Sequence, residues 1–383
     1  MSLRVLFSSG PGVGHILPGL PLARAFRERG DEVALLTAEA FHAVVATEDI
    51  EFLAAGPGPD VLVAEITRRT GANLLAGPPS LEVEAELFAG TRVDLGFDES
   101  LEAAKKWRPD LIVSEHYDFV GPLIGAALEI PVAALAYGPA MNSALAGATS
   151  KVVAPRYSER GLTRRASRWY LDTCPSALQH DAWPEPAHRI GLRPEAHRTA
   201  AAAATPAQTT TDVSRERPRP TALVTFGTVF NAPEMLTPLL RALAAAGLDL
   251  RVTTGLFASA DDFDISSERV SFVPFTPLHE LLQNIDLVLS HGGAGTTLGG
   301  LAAGIPLVIV PQGADQFIQA DRVTAAKAGL AVTPDSPKSV ADAVAAVLND
   351  PTFREHAREV AAQIAALPAP ADVATQLAAA LGS

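Results

Sequence analysis

Short apolar runs alternate with helical patterns along nearly the whole chain, and this alternation constrains the fold more than any single motif. "RVLFSS" (Arg4–Ser9) reads as a strand, and "PGLPLARAFRERG" as the helix after it, with Gly30 as its stop. "EVALLTA", "DLIVSE" (Asp110–Glu115) and "PVAALAY" read as further strands, with "GPLIGAALEI" helical between the last two. Strands that are continuously apolar must be covered on both faces, which implies a parallel sheet flanked by helices. The second half repeats the style. "TALVTFG" leads into the helix "EMLTPLLRALAAAG", "LRVTTG", "VSFVPF", "DLVLSH" and "IPLVIVP" are strands, and two helical patterns close the chain. Two doubly wound α/β domains are the economical architecture.

The length of 383 residues suffices for two domains, and a hydrophobic fraction of 48% supplies both cores. The stretch His197–Pro220 is rich in Ala, Thr, Pro and charge and lacks apolar periodicity, so it reads as a linker. The expected division is an N-terminal domain over 1–205, a linker over 206–219 and a C-terminal domain over 220–383, whose last helix is able to return to the first domain. A formal charge of −13 argues against nucleic acid and anionic membranes as partners. No apolar run approaches the ~18 residues of a membrane span, and "MSLRVLFSSG" enters a strand without the pattern of a signal peptide. A cytoplasmic protein is the expectation. The lone Cys174 excludes a disulfide within the chain or a cysteine-based zinc site and reads as a small buried hydrophobe. Lys151 to Arg168 is strongly basic, either as a solvated surface helix or as a patch for an acidic substrate or carrier.

Two glycine turns carry the chemistry. "HGGAGTTLGG" (His291–Gly300) follows the strand "DLVLS" and opens a helix. Gly292, Gly293 and Gly295 would let the backbone approach a ligand. Free N–H groups and the helix dipole would face an anion, and Thr296 and Thr297 could cap or donate. His291 falls at the carboxyl end of a parallel strand, where such sheets bind ligands. The spacing is not that of a Walker loop, and a tight structural turn is the bland alternative. Downstream, Asp315 and Gln316 offer an acceptor and an amide, a pair suited to sugar hydroxyls. Asp315 also stands where a helix cap would.

"SSGPGVGHILPG" is the other turn. Its spacing differs from a dinucleotide fingerprint, and "EVALLT" ends on no acidic residue for a ribose, which disfavours a nicotinamide enzyme. His15 lies in this turn, where a helix N-terminus would keep it neutral as a base requires. Glu115, after a later strand, could accept from the other ring nitrogen and fix the tautomer. Asp118 and His116 are nearby alternatives.

The segment Ser271–Val323, with H-G-G-x-G-T, the G-x-P strand and x-A-D-Q, resembles the donor-site signature of GT-B glycosyltransferases, closest to the bacterial antibiotic and macrolide group of family 1. The likeness extends in order and length over nearly the whole chain and is weakest in the middle of the first half. It implies two Rossmann-like domains facing a central cleft. It implies that His291, Gly293, Gly295 and Thr296 hold a diphosphate, with Thr228 on its other side. Val273, Phe275 and Leu278 would flank base and ribose, and Asp315 and Gln316 would bind the sugar. The histidine of "GHxxP" in that group deprotonates the acceptor, which assigns His15 as base. Its usual aspartate partner is replaced here by Glu115. The tryptophan that plant members place on the base is absent, which by analogy favours TDP-linked over UDP-linked donors.

The expected reaction is therefore inverting, metal-independent transfer of a (deoxy)sugar from a nucleoside diphosphate to a small apolar aglycone such as a polyketide or macrolide, without a cofactor. Phe88, Tyr117, Phe119 and Tyr137 are candidate walls of the acceptor pocket. No metal-binding set is evident, and a homodimer is left open. A sugar-nucleotide epimerase of the same shape, or a non-catalytic auxiliary partner of a transferase, are the competing readings.

Overall fold

The computed structural model describes residues 2–74, 79–180, 183–198, 218–227, 233–255, 258–274, 276–313, 315–333 and 336–382. Thr228, Phe275 and nearly all of the expected linker lie outside the described residues.

The chain forms two compact units. The first holds a parallel sheet in the order β3-β2-β1-β4-β5-β6-β7. Its strands are β1 (Arg4–Ser8), β2 (Glu32–Thr37), β3 (Glu51–Ala54), β4 (Leu111–Glu115), β5 (Val132–Leu135), β6 (Trp169–Asp172) and β7 (Arg189–Gly191). The second holds β10-β9-β8-β11-β12-β13, from β8 (Thr221–Thr225), β9 (Asp249–Thr253), β10 (Val270–Val273), β11 (Leu287–Ser290), β12 (Leu307–Ile309) and β13 (Gly329–Ala331). In each sheet the strand order reverses beside the first strand, between β1 and β4 and between β8 and β11. A ligand crevice belongs at the carboxyl ends of such pairs, and both glycine turns lie there.

Alternation along β1 divides the first core. Val5 and Phe7 face a cluster with Leu22, Phe26, Leu35 and Val113, while Leu6 faces Ile112, Val93, Phe97 and Leu123 on the other side. The helix Pro370–Leu381 completes the first of these clusters. Its Val373, Ala374 and Leu377 are fully buried there, against the helix Leu20–Glu28. The first unit accordingly comprises Met1–Cys174, Asp181–Arg193 and Leu367–Ser383. Composition alone put the break later, at 205. The chain leaves the first unit after Arg193, whose N–H donates to the Pro368 carbonyl at 2.8 Å. The short piece Pro175–His180 belongs to the second unit, where Ser176 Oγ and the Ala177 N–H reach Gln363 Oε1 at 3.1 and 3.0 Å.

The basic stretch is a structural helix and its exit. Arg156 pairs with Asp94, Arg160 lies over Phe97, Arg164 donates to Ser150, Arg165 pairs with Glu129, and Arg168 stacks on Trp169. These partners account for the arginines without an acidic ligand. Cys174 is fully buried, and burial followed by the charge of Asp172 pushes its thiol up, which leaves it inert. The segment Pro351–Leu381 is long and apolar enough for a membrane span. It is, however, two helices, Pro351–Ala365 and Pro370–Leu381, each shorter than the ~20 residues that a span requires.

Candidate active site

The first candidate site is built at the ends of β1, β4 and β5. The chain leaves β1 through Ser9 and Gly10 and turns into a helical run at Val13. His15 stands in the opening turn of that run, which a 3-10 turn at Leu17–Gly19 interrupts. The dipole at His15 is therefore that of one turn, weaker than a long helix would give. The fixed charge beside it is Glu115, the last residue of β4. His15 Nδ1 lies 3.1 Å from Glu115 Oε1. The carboxylate is 3% exposed and also accepts from the N–H groups of Gly10 at 3.2 Å and Tyr117 at 2.7 Å. Burial pushes its carboxyl up. The charge of His15 and its hydrogen bond, then His116 and the Tyr117 N–H, outweigh that and hold it below the ordinary carboxylate range.

The glycines of this turn serve the His15–Glu115 approach. A Cβ on Gly10 would come within 3.1 Å of Glu115 Oε1 and 3.3 Å of His15 Nδ1, and one on Gly12 within 3.0 Å of the His15 ring. Asp118, an alternative partner on sequence grounds, is excluded by placement. It is fully buried and accepts from Ser8 Oγ, from Arg92 at 3.0 Å and from the Val120 and Gly121 N–H groups. Arg92 also donates to the Ser9 carbonyl at 2.7 Å, so this buried pair fixes the backbone that enters the glycine turn.

Aromatic rings surround His15. Phe88, Tyr117 and Tyr137 have ring centres 5.8, 6.4 and 5.6 Å from it. Phe88 rides on one turn of π-helix, Glu86–Thr91, a geometry frequent at functional sites. Arg69 and Arg156 hold the turn at Glu86. His116 is half-buried, edge-on to Tyr117 and Tyr137, at 4.6 Å from each. Burial takes its imidazole down to about 4, against the pull of Glu115, so it is neutral. Three of the four expected acceptor walls thus gather at His15. Phe119 does not: it packs onto the core cluster of Val120 and Leu123, because it caps the helix Val120–Leu128 from the core side.

The second candidate site lies in the other unit, at the ends of β8 and β11. His291 follows β11 directly and is 9% exposed. Its ring lies between two glycines. A Cβ on Gly227 would come within 2.8 Å of its Cε1, and one on Gly293 within 2.8 Å of its Nε2. Burial lowers its imidazole to about 4, opposed by a hydrogen bond with the Thr225 backbone, so it presents a neutral ring. Gly293, not a threonine, is the N-cap of the helix Ala294–Ala302, with no side chain on the cap. The first-turn N–H groups of Ala294, Gly295 and Thr296 therefore have no intrahelical acceptor. Gly295 is exposed and Thr296 half-buried, whereas Thr297 is fully buried, with no hydroxyl partner among the described residues.

Asp315 and Gln316 open the helix Gln316–Ala325. Asp315 makes no side-chain cap. Its carboxylate accepts from Gln319 Nε2 at 3.3 Å. Gln319 went unnoticed in the sequence, although four-residue spacing on a helix was the available signal. Gln316 corrects the expectation of a full sugar contact. Its Oε1 already accepts from the Gln312 and Gly313 N–H groups at 2.7 and 3.1 Å, so within this amide only the NH2 group remains to meet a ligand. Val273 ends β10, half-buried, and Leu278 packs on Gly299 of the helix that follows His291. Among the described residues no group of three or more His, Cys, Asp or Glu side chains gathers in a metal-binding arrangement.

The erythromycin biosynthesis protein CIII-like domains match this chain, the N-terminal one over residues 24–187 and the C-terminal one over 246–380. The chain is 31% identical to the elloramycin glycosyltransferase of Streptomyces olivaceus, over 99% of this chain and 98% of that one. It belongs to the bacterial natural-product glycosyltransferases. A second relative of this glycosyltransferase is the 3-alpha-mycarosylerythronolide B desosaminyl transferase of Saccharopolyspora erythraea, 25% identical over 97% of this chain and 96% of that one. Among solved structures, a glycosyltransferase of Streptomyces sp. SF2575 complexed with thymidine diphosphate superposes with a TM-score of 0.79. It is 28% identical, over 98% of this chain and 99% of that chain. The fold of the glycosyltransferase is GT-B, with one parallel-sheet α/β unit in each half.

Proposed function

We propose that this glycosyltransferase transfers a sugar from a TDP-linked donor to a small apolar aglycone, with inversion and without a metal or cofactor. The observation that carries the reading is the 3.1 Å contact between His15 Nδ1 and the buried Glu115 carboxylate. An ionised carboxylate is an acceptor only, so the proton of a neutral ring sits on Nδ1 and Nε2 is the basic nitrogen. The acceptor O–H bond breaks and its proton passes to Nε2. The oxygen's electron pair forms the bond to the anomeric carbon, and the diphosphate leaves with the pair of the old C–O bond. The N–H groups of Ala294, Gly295 and Thr296 and the neutral His291 suit the charge that grows on the diphosphate. Asp315, held by Gln319, suits a sugar hydroxyl. The rings of Phe88, Tyr117 and Tyr137 suit an apolar, flat acceptor. The thymidine diphosphate in the related structure supports the choice of TDP.

Calorimetric titration with TDP, UDP and NAD, with and without EDTA, tests the donor assignment. TDP is expected to bind tightest, insensitive to EDTA. Binding of NAD alone would refute it. His15→Ala is expected to abolish turnover and spare TDP binding, and retained turnover would remove His15 as base.

A further inference from the structure

Tyr137 stands on the same nitrogen as Glu115. Its phenol oxygen is 3.0 Å from His15 Nδ1, against 3.1 Å for Glu115 Oε1. Position alone does not say which group donates, but chemistry does. A ring nitrogen presents either one proton or one lone pair in its plane. Two oxygens that both approach it share whichever it has. The carboxylate has no proton to give, so Nδ1 carries one, and the phenol oxygen is its second acceptor in a three-centre bond. We infer that Tyr137 is a positioning residue of the proton-transfer pair, holding His15 jointly with Glu115 in the orientation and tautomer that make Nε2 the basic nitrogen. This rests on the reading of His15 as base.

The phenol is placed firmly enough for the task. Tyr137 is buried just beyond the end of β5, edge-on to His116 at 4.6 Å and stacked with Tyr117 at 6.0 Å and 27°. Its ring meets that of His15 at 86°, so the contact with Nδ1 is made by the hydroxyl and not by a stacked face. Among the described residues, the polar groups named at His15 come from two strand ends. Glu115 and the neutral His116 come from β4 and the turn after it, Tyr117 and the Arg92-paired Asp118 from the same turn, and Tyr137 from beyond β5. The π-helical turn contributes the apolar Phe88. When the acceptor's proton reaches Nε2, the imidazolium that forms has both oxygens on its Nδ1–H.

The sign of one titration decides the matter without any sugar or aglycone. Protein with 15N-labelled histidine rings is titrated by NMR, with His15→Ala identifying the His15 signals. If the phenol accepts from Nδ1–H, it favours the imidazolium, and Tyr137→Phe moves the His15 midpoint down by about 0.5–1 pH unit. If the phenol instead donates to a bare Nδ1, the same variant moves the midpoint up. An unmoved midpoint leaves only ring packing. Either of these last two results overturns the proposal. Tyr137→Leu, which removes the ring as well, is expected to give the same downward shift, because the hydroxyl is the operative group. In turnover, Tyr137→Phe is expected to lower kcat about 3- to 10-fold at nearly constant acceptor KM. A wall residue would alter KM instead. Turnover by His15→Ala would sink the base assignment alone, so failure of that reading and failure of the Tyr137 role are separately visible.

Discussion

Glu115→Gln changes no heavy-atom shape, yet the site cannot accommodate it without loss. The carboxylate accepts three N–H groups, from His15 and Gly10 on one oxygen and from Tyr117 on the other. An amide has one oxygen. The orientation that satisfies two of the three donors turns its NH2 toward the Tyr117 N–H and leaves its oxygen facing Gly10 and His15. His15 then keeps an acceptor but loses the charge. Hydrogen bonds to charged groups are worth about 1.5–3 kcal/mol and neutral ones about 0.5–1.5. The difference of about 1–2 kcal/mol corresponds to a fall in kcat of about 5- to 30-fold. The orphaned Tyr117 N–H is buried and costs a further ~1–3 kcal/mol of stability.

The pH profile supplies the sign. The base acts unprotonated, and Glu115 favours its protonated form, so the acidic limb of kcat/KM is expected to move to lower pH in the variant even as kcat falls. The assay is initial rate against pH, with urea unfolding in parallel. In a His15→Ala background, Glu115→Gln is expected to cost little further turnover, since both act through one proton transfer. Wild-type kcat with an unmoved limb would refute the pairing, whatever the stability change.

Two further predictions concern the neutral histidines His116 and His291 and the glycines beside His291. His116 and His291 are each neutral with folded values near 4 against ~6.5 unfolded. The unfolded chain takes up protons first, so stability is expected to fall as pH drops from about 6.5 to about 4, by roughly 3 kcal/mol per histidine at most. Glu115, depressed in the fold, adds its own loss at lower pH, as pH falls through its folded value. Urea midpoints at pH 7.5 and 5 check this, and His116→Phe is expected to flatten the dependence. Equal slopes in variant and wild type would count against a neutral His116. Gly293→Ala is expected to weaken TDP binding at least about 10-fold, because its Cβ meets His291 at 2.8 Å and Gly227 blocks retreat. Gly295→Ala, whose Cβ meets nothing within 4 Å, is expected to lose less, and the reverse order in calorimetry would refute the two-glycine account.

Much of the fold was legible because most of the parallel strands carry an apolar run of three or more residues or an apolar alternation. β1, β2, β4 and β5, and β8 to β12, all stand out in the sequence. β3, β6, β7 and β13 do not. They lie toward or at the sheet edges, and three of them carry Glu51, Asp172 or Arg189 where the pattern asks for apolar residues. The His15–Glu115 and His291–glycine placements were legible because strand ends at a switch point are fixed by topology. The roles of Tyr137, Gln319 and the Gln316 carbonyl were not. Each depends on where a side-chain tip falls once strands or turns from elsewhere are in register. Tyr137 illustrates the limit: its aromatic character marked it as a wall, and only the register of β5 beside β4 brings its hydroxyl to Nδ1.

Each unit sets a histidine among glycines near the carboxyl ends of its strands, His15 in the helical turn after β1 and His291 directly after β11, but gives the ring different chemistry. His15 has a quarter of its side-chain surface exposed and an ionised carboxylate on Nδ1, an environment that favours taking up a proton. His291 is buried, has glycines where a carboxylate would stand, and loses its affinity for protons. A group that must accept a proton and a group that must donate a hydrogen bond without changing charge need opposite environments. The proposed division of labour between base and diphosphate holder would follow from these surroundings, a carboxylate on the ring in one unit and glycines alone in the other. Placing a carboxylate beside His291, as in Gly227→Asp, is expected to abolish TDP binding twice over. Its bulk displaces the ring, and its charge repels the diphosphate. If calorimetry found TDP binding intact in that variant, His291 would not be the diphosphate contact.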